Sequence, residues 1–185
     1  MNNISAISQN RIMMVSQKAL FILLLASIAP VIQARTYMTT EDFIQQSYKI
    51  APQPQAIWIT GDLKRSAYDI LGHFYNGLRI KYWYKEGQST WVLDEVGKER
   101  PITVGITIKE GVVVSVKVLS YRETRGSEVR HAFFLNQFIG ATRQKDHSLS
   151  HNIDGITGAT LSVRALTKLT QLALLLHQKV STDEI

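Results

Sequence analysis

The chain has 185 residues, a formal charge of +6 at pH 7, 45% hydrophobic residues and no cysteine. The missing thiols exclude a disulfide framework, a Cys-ligated zinc or iron–sulfur site, C-x-x-C-H haem attachment and a lipid-modified cysteine. The basic residues are scattered rather than clustered, which speaks against nucleic acid as a partner.

Residues 1–34 read as a secretory signal peptide. Arg11 and Lys18 supply a basic start, residues 19–29 are apolar, and Ile32-Gln33-Ala34 offers a cleavage point before Arg35. The alternative is an uncleaved anchor, but the uncharged stretch 19–34 is short against the roughly 20 apolar residues of a spanning helix. The expectation is therefore a periplasmic or extracytoplasmic protein, membrane-associated if the segment is kept. Cleavage removes Arg11 and Lys18 and lowers the formal charge from +6 to +4. That mild excess suits an acidic redox partner or an anionic lipid surface.

Residues 35–75 predict an N-terminal helical segment. Thr39 or Thr40 can cap a short helix through Glu41, Asp42, Phe43 and Ile44 to about Tyr48. Ala51-Pro52-Gln53-Pro54 reads as a linker. Asp62 can cap a second helix with Leu63, Ala67, Ile70 and Leu71 on one face, and Gly72 can end it.

The part after the signal segment, about 150 residues, suits one domain, and its larger portion, residues 76–185, opens on a period of two. Leu78, Ile80, Tyr82 and Tyr84 alternate with Arg79, Lys81 and Trp83. A turn at residues 85–88 leads to a second strand from about Thr90 to Val96. Ile102, Val104, Ile106 and Ile108 make a third, and Val112, Val114, Val116 and Val118 a fourth. This pattern is an antiparallel β-meander with one buried face, which helices at both ends can cover. The fold class is α+β. Phe133, Phe134 and Phe138 read as core, and residues 142–152 as a polar loop. His147 and His151 are four apart but lack a third ligand, so no metal site is assigned. His73, His131 and His177 carry no assigned role. A final helix from Ser162 to about Lys179 has Val163, Leu166, Leu169, Leu172, Ala173 and Leu176 as its apolar stripe.

The most specific signal is Asp154-Gly155-Ile156-Thr157-Gly158-Ala159-Thr160-Leu161-Ser162, or D-x-x-T-G-A-T-x-S, opening into that helix. Taken alone, T-G-A-T is also what a turn and N-cap look like. The whole run resembles the flavinylation motif of FMN-binding domains, as in the FMN-carrying subunits of sodium-translocating NADH:quinone reductase and Rnf-type complexes. The resemblance implies FMN joined by a phosphoester bond to Thr160. A separate flavin transferase would make that bond from FAD with a metal ion and release AMP. Gly158 and Ala159 are small enough to let backbone approach a phosphate, and the helix start favours an anion. Asp154 and Thr157 are the matching acidic and hydroxyl positions of the motif.

A second match is Tyr121-Arg122-Glu123-Thr124-Arg125-Gly126, similar to the E-T-P-G segment of the same family, with Arg125 in place of proline. The change suggests a smaller stand-alone branch. The resemblance makes Glu123, Thr124 and Gly126 flavin contacts. Arg122 and Arg125 could stabilise an anionic reduced flavin, or simply be solvated or paired with Glu123 and Glu128. The expected function is an exported electron carrier between a membrane reductase and an extracytoplasmic acceptor. The alternatives are an enzyme using non-covalent FMN, or a flavin-free assembly module of a membrane redox complex.

Overall fold

The computed structural model describes residues 35–182; the expected signal segment, residues 1–34, lies outside the described residues. Helix α1, Thr40–Ser47, begins where the Thr39 side chain accepts the Asp42 amide at 3.0 Å. Glu41 and Asp42 in its first turn suit the positive end of the helix dipole. Helix α2, Gly61–Leu71, has Thr60 rather than Asp62 at its N-cap, and Thr60 makes no side-chain cap bond. Asp62 is instead an acid in the first turn, where the dipole still favours it. The helix ends as expected at Gly72, whose φ of 76° is a left-handed cap that costs glycine little.

The sheet is larger than the period of two suggests. Strands β1 (Arg35–Thr36), β2 (Gln55–Trp58), β3 (Arg79–Lys85), β4 (Gln88–Val96), β5 (Pro101–Lys109) and β6 (Val112–Tyr121) form six antiparallel strands in the order β1-β6-β5-β4-β3-β2. The segment expected to be helical thus also supplies both edge strands. Neither is legible in the sequence, because each is short and edge-exposed and neither shows apolar alternation. Tight turns of Glu86-Gly87 (φ 52° and 73°) and Glu110-Gly111 (φ 52° and 79°) join β3 to β4 and β5 to β6. Positive φ at both central residues matches the twist of a two-residue hairpin.

Ile102, Val104, Ile106 and Ile108 on β5 are fully buried, as their spacing predicts. Strand β6 breaks its period. Val113, Val116 and Val118 are buried, whereas Val114 is 43% exposed. Thr107 pairs with Ser115 but Ile108 pairs with Val113, so Val114 is the extra residue of a bulge and the phase slips by one. A second bulge leaves Leu119 between Ser120, opposite Thr103, and Val118, opposite Val104. Leu119 joins Phe43, Ile44 and Tyr48 in a small second core.

That second core changes where the helices sit. Helix α1 packs on β4 and β5, and its core with Leu119 and Val92 is separate from the main one. A Cβ on Gly105 would lie 2.4–2.7 Å from the Phe43 ring, so only glycine lets that ring lie on mid-β5. The main core gathers Ile80, Tyr82, Trp91 and the β5 isoleucines under α2 and the last helix. The helices are therefore divided between the two faces instead of sharing one.

After β6 the chain makes a 3-10 turn at Ser127–Arg130 and helix α3, Ala132–Leu135. Phe134 and Phe138 are core residues packed edge-on at 5.5 Å, but Phe133 is 66% exposed beside His131. The polar segment 142–152 closes a small hairpin through the Arg143–Leu149 bridge and the Ser150 amide on the Thr142 carbonyl. His147 faces Arg143 at 2.6 Å and His151 faces the Gln137 carbonyl at 2.7 Å, so the two rings have separate partners. Helix α4, Thr160–Thr182, then crosses β4, β5 and α2. Lys168 on α4 donates to the Leu71 carbonyl, satisfying an otherwise open acceptor at the end of α2.

Candidate functional site

The start of α4 is built by a turn. The Ala159 amide donates to the Ile156 carbonyl at 2.9 Å, with Gly158 at φ 82° inside the turn. That left-handed conformation suits glycine. The Ala159 carbonyl then accepts the Val163 amide at 2.9 Å and opens the helix. Thr160 is consequently the first helical residue, and its side chain is exposed while Ala159 is buried. The first amides of a helix have no acceptor within it, so donors and the positive dipole end collect around the Thr160 hydroxyl.

The loop after β6 is fastened to this helix start. The Tyr121 hydroxyl donates to the Arg125 carbonyl and meets the Ser162 hydroxyl at 2.9 Å. With the Tyr121 proton committed, Ser162 is the donor of that second bond. Burial pushes the Tyr121 pKa above the ordinary phenol range, which keeps that proton in place. Gly126 closes the joint. A Cβ there would sit 2.9 Å from the Tyr121 hydroxyl oxygen and 3.2 Å from both Ala159 Cβ and Ser162 Oγ. Its φ of 83° adds a second reason for glycine.

Glu123 ties in a third segment. Its Oε1 accepts the backbone amides of Lys98, Glu99 and Arg100 at 2.5, 2.7 and 3.0 Å, in the turn between β4 and β5. Desolvation pushes its pKa up, but the three amide bonds outweigh that and hold it below the ordinary glutamate value.

The three segments enclose a cleft of about 560 Å³. Lys98 comes from the β4–β5 turn, Glu123, Thr124 and Arg125 from the loop after β6, and Gly158, Ala159, Thr160, Leu161 and Ser162 from the start of α4. The volume lies within the range of small-molecule sites, roughly 300–1,000 Å³. Lys98, Arg125, the hydroxyl residues Thr124, Thr160 and Ser162, a helix N-terminus and the Glu123 carboxylate form its polar lining, and Glu123 Oε1 is engaged by amides. Such a donor set suits an anion.

The structure sorts the residues singled out in the sequence. Thr160, Gly158, Ala159, Glu123, Thr124 and Arg125 line the cleft together. Gly126 is buried behind it as a packing joint. Asp154 and Thr157 are exposed outside the lining, and the Asp154 amide is held by the Gln137 side chain at 2.7 Å. Arg122 turns away to the Pro101 carbonyl and Thr103 hydroxyl at 3.1 and 2.9 Å, with Asp94 at 3.8 Å. Neither Glu123 nor Glu128 pairs with it. Lys98 and the Tyr121–Ser162 bond were not foreseen. Nothing local marks them, since their partners lie 25 and 41 residues away.

No curated protein matches the chain. Residues 97–175, which contain every residue lining the cleft, match the FMN-binding domain family. Over that span the chain carries an FMN-binding domain, which implies flavin-based electron transfer.

Proposed function

We propose that this protein is an exported electron carrier with FMN attached covalently to Thr160. The observation that carries the proposal is the convergence of two segments, 123–125 and 158–162, on one cleft that the exposed Thr160 lines. The chemistry of the lining fits the cofactor. Arg125 and the free amides of the α4 start would hold the phosphate, and Lys98, Thr124 and Leu161 line the remaining space. Bound FMN supplies redox chemistry that the side chains of this cysteine-free chain do not.

Attachment needs help from outside. The Thr160 hydroxyl is a weak nucleophile, and no base is placed beside it by any hydrogen bond among the described residues. A flavin transferase carrying FAD and a metal ion fits this need. Thr160 Oγ would attack the phosphorus of the FMN half, the pyrophosphate bond would break, AMP would leave and the hydroxyl proton would pass to the transferase or solvent. The role of the domain is then to present an exposed threonine on a rigid helix start. Export agrees with the signal-like residues 1–34, and no helix among the described residues is long and apolar enough to cross a membrane. Donor and acceptor would be a membrane reductase and an extracytoplasmic acceptor.

The test is the intact mass of the protein made with and without an active flavin transferase. A transferase-dependent gain of one FMN less water, mapped to the peptide bearing Thr160, supports the proposal. Thr160→Ala should abolish that gain and change stability by no more than about 1 kcal/mol, because the side chain is exposed at a helix start. Covalent flavin retained in that variant would sink the assignment of Thr160.

A further inference from the structure

The sequence points to the arginines of the loop after β6 as the charges nearest a flavin, and to Glu123 as a flavin contact. The geometry gives different roles. Arg122 is held by Pro101 and Thr103 outside the cleft. Lys98 lines the cleft from the facing turn, 73% exposed, with Glu99 3.6 Å from its ammonium and the Glu123 charge close enough to interact with it. What places Lys98 there is the Glu123 carboxylate, because one of its oxygens gathers three successive amides of the Lys98–Arg100 turn. Gly97 makes room for this: a Cβ would sit 2.9 Å from that oxygen and 3.1 Å from Ile102 Cδ1. Converging backbone amides of this kind form an anion nest, occupied here by the protein's own carboxylate.

We infer that Lys98 tunes the flavin reduction potential and that Glu123 is a positioning residue acting through it, holding the β4–β5 turn so that Lys98 lines the cleft. The inference rests on the flavin reading of the cleft. A flavin that takes up two electrons and one proton carries one negative charge, and a nearby cation stabilises that form and raises the potential. The Glu123 charge works against this less than its proximity suggests, since three amide dipoles are aimed at it. The two residues are therefore coupled, and the sign of the Glu123 effect identifies its role. A bare carboxylate beside a flavin lowers the potential, so its removal would raise it. A carboxylate that places a lysine raises the potential, so its loss lowers it.

The experiment compares the full wild-type chain, Lys98→Gln, Glu123→Gln, Glu123→Ala and the double variant Lys98→Gln/Glu123→Ala, each produced with a flavin transferase. Intact mass and absorbance report flavin loading, a spectroelectrochemical titration reports the midpoint, and thermal unfolding reports the fold. Lys98→Gln should load normally and lower the reduced-to-oxidised ratio at fixed potential about tenfold, equivalent to about 30 mV for a two-electron couple. Glu123→Ala should shift the midpoint in the same direction, Glu123→Gln should largely keep it by retaining an acceptor for the amides, and the double variant should fall no lower than Lys98→Gln alone. A loaded Lys98→Gln protein with an unchanged midpoint overturns the inference and leaves the flavin reading intact. A raised midpoint in Glu123→Ala overturns the positioning role. A wild-type protein without bound flavin overturns both readings, and the mass separates that outcome from the others. If Glu123→Ala fails to fold, Lys98→Gln and Glu123→Gln still decide the matter, because Lys98 is a surface side chain in no core.

Discussion

The two ends of α4 make opposite uses of the same helix. Thr160 and His177, which mark these two regions, stand roughly 25 Å apart, from a rise of about 1.5 Å per residue. At the C-terminal end, His177 is 4% exposed and both ring nitrogens are engaged. Ser89 lies 2.8 Å from Nδ1, the Gly111 amide donates to Nε2 at 3.0 Å, and the Trp91 indole donates to Ser89 at 2.7 Å. A ring that accepts at Nε2 must carry its proton on Nδ1, so His177 is neutral, and burial lowers its pKa accordingly. At the N-terminal end the helix amides, Thr160, Lys98 and Arg125 face an open cleft. Around His177 the polar groups of helix and sheet satisfy one another, whereas around Thr160 the first helix amides and two cations stay open to the cleft. Stability resides where donors and acceptors are paired; binding resides where they are positioned but left open.

The sharpest way to break this contrast is to damage each end separately. His177→Leu should cost about 2–3 kcal/mol, because it leaves the Gly111 amide and Ser89 hydroxyl short of partners, yet flavin loading of the folded protein should not change. Chemical denaturation with mass analysis checks both halves. Gly126→Ala should cost about 1–3 kcal/mol, since it forces a side chain into φ 83° and against Tyr121 and Ala159. Unlike the His177 change, it should also reduce flavin loading, because it pushes the loop off the helix start. Equal loading in the two variants would show that the joint behind the cleft does not govern the site. Tyr121→Phe removes the hydroxyl that holds Arg125 and Ser162 together, with an expected loss of about 1 kcal/mol and faster amide exchange in the loop after β6.

The smallest effect is in pH. His177 titrates lower in the folded state than its ordinary value near 6.5, so the unfolded chain binds more protons below that pH and stability falls as pH drops. His73 is the reverse. One ring nitrogen faces the Phe74 carbonyl at 3.0 Å and the other the buried Glu95 carboxylate at 3.0 Å. The Phe74 carbonyl first, and Glu95 next, raise its pKa. Its contribution is complete below about 6.5 and is lost as pH rises through the raised folded value. It stays small because the His73 side chain is 52% exposed and screened by solvent. Thermal unfolding from pH 5 to 9 should show both slopes. His73→Gln should flatten only the alkaline one, and a flattened acid slope in that variant would refute the assignment.

What the chain alone determined is what depends on near neighbours. The period of two placed β3 to β5, Gly72 stopped α2, and D-x-x-T-G-A-T-x-S placed an exposed threonine at a helix start. Each of these is fixed within a few residues, by side-chain alternation, by φ or by the turn before a helix. What only the tertiary structure decided depends on partners distant in sequence. The bulge at Val114 slips a regular valine pattern because β6 must also match β5. Gly105 is explained by Phe43, Gly126 by Tyr121 and Ala159, and Glu123 by a turn 23 to 25 residues upstream. A local pattern records which residue is small, charged or hydroxylated. Which cavity it faces is set by the packing of segments that become neighbours only when the sheet closes under its helices.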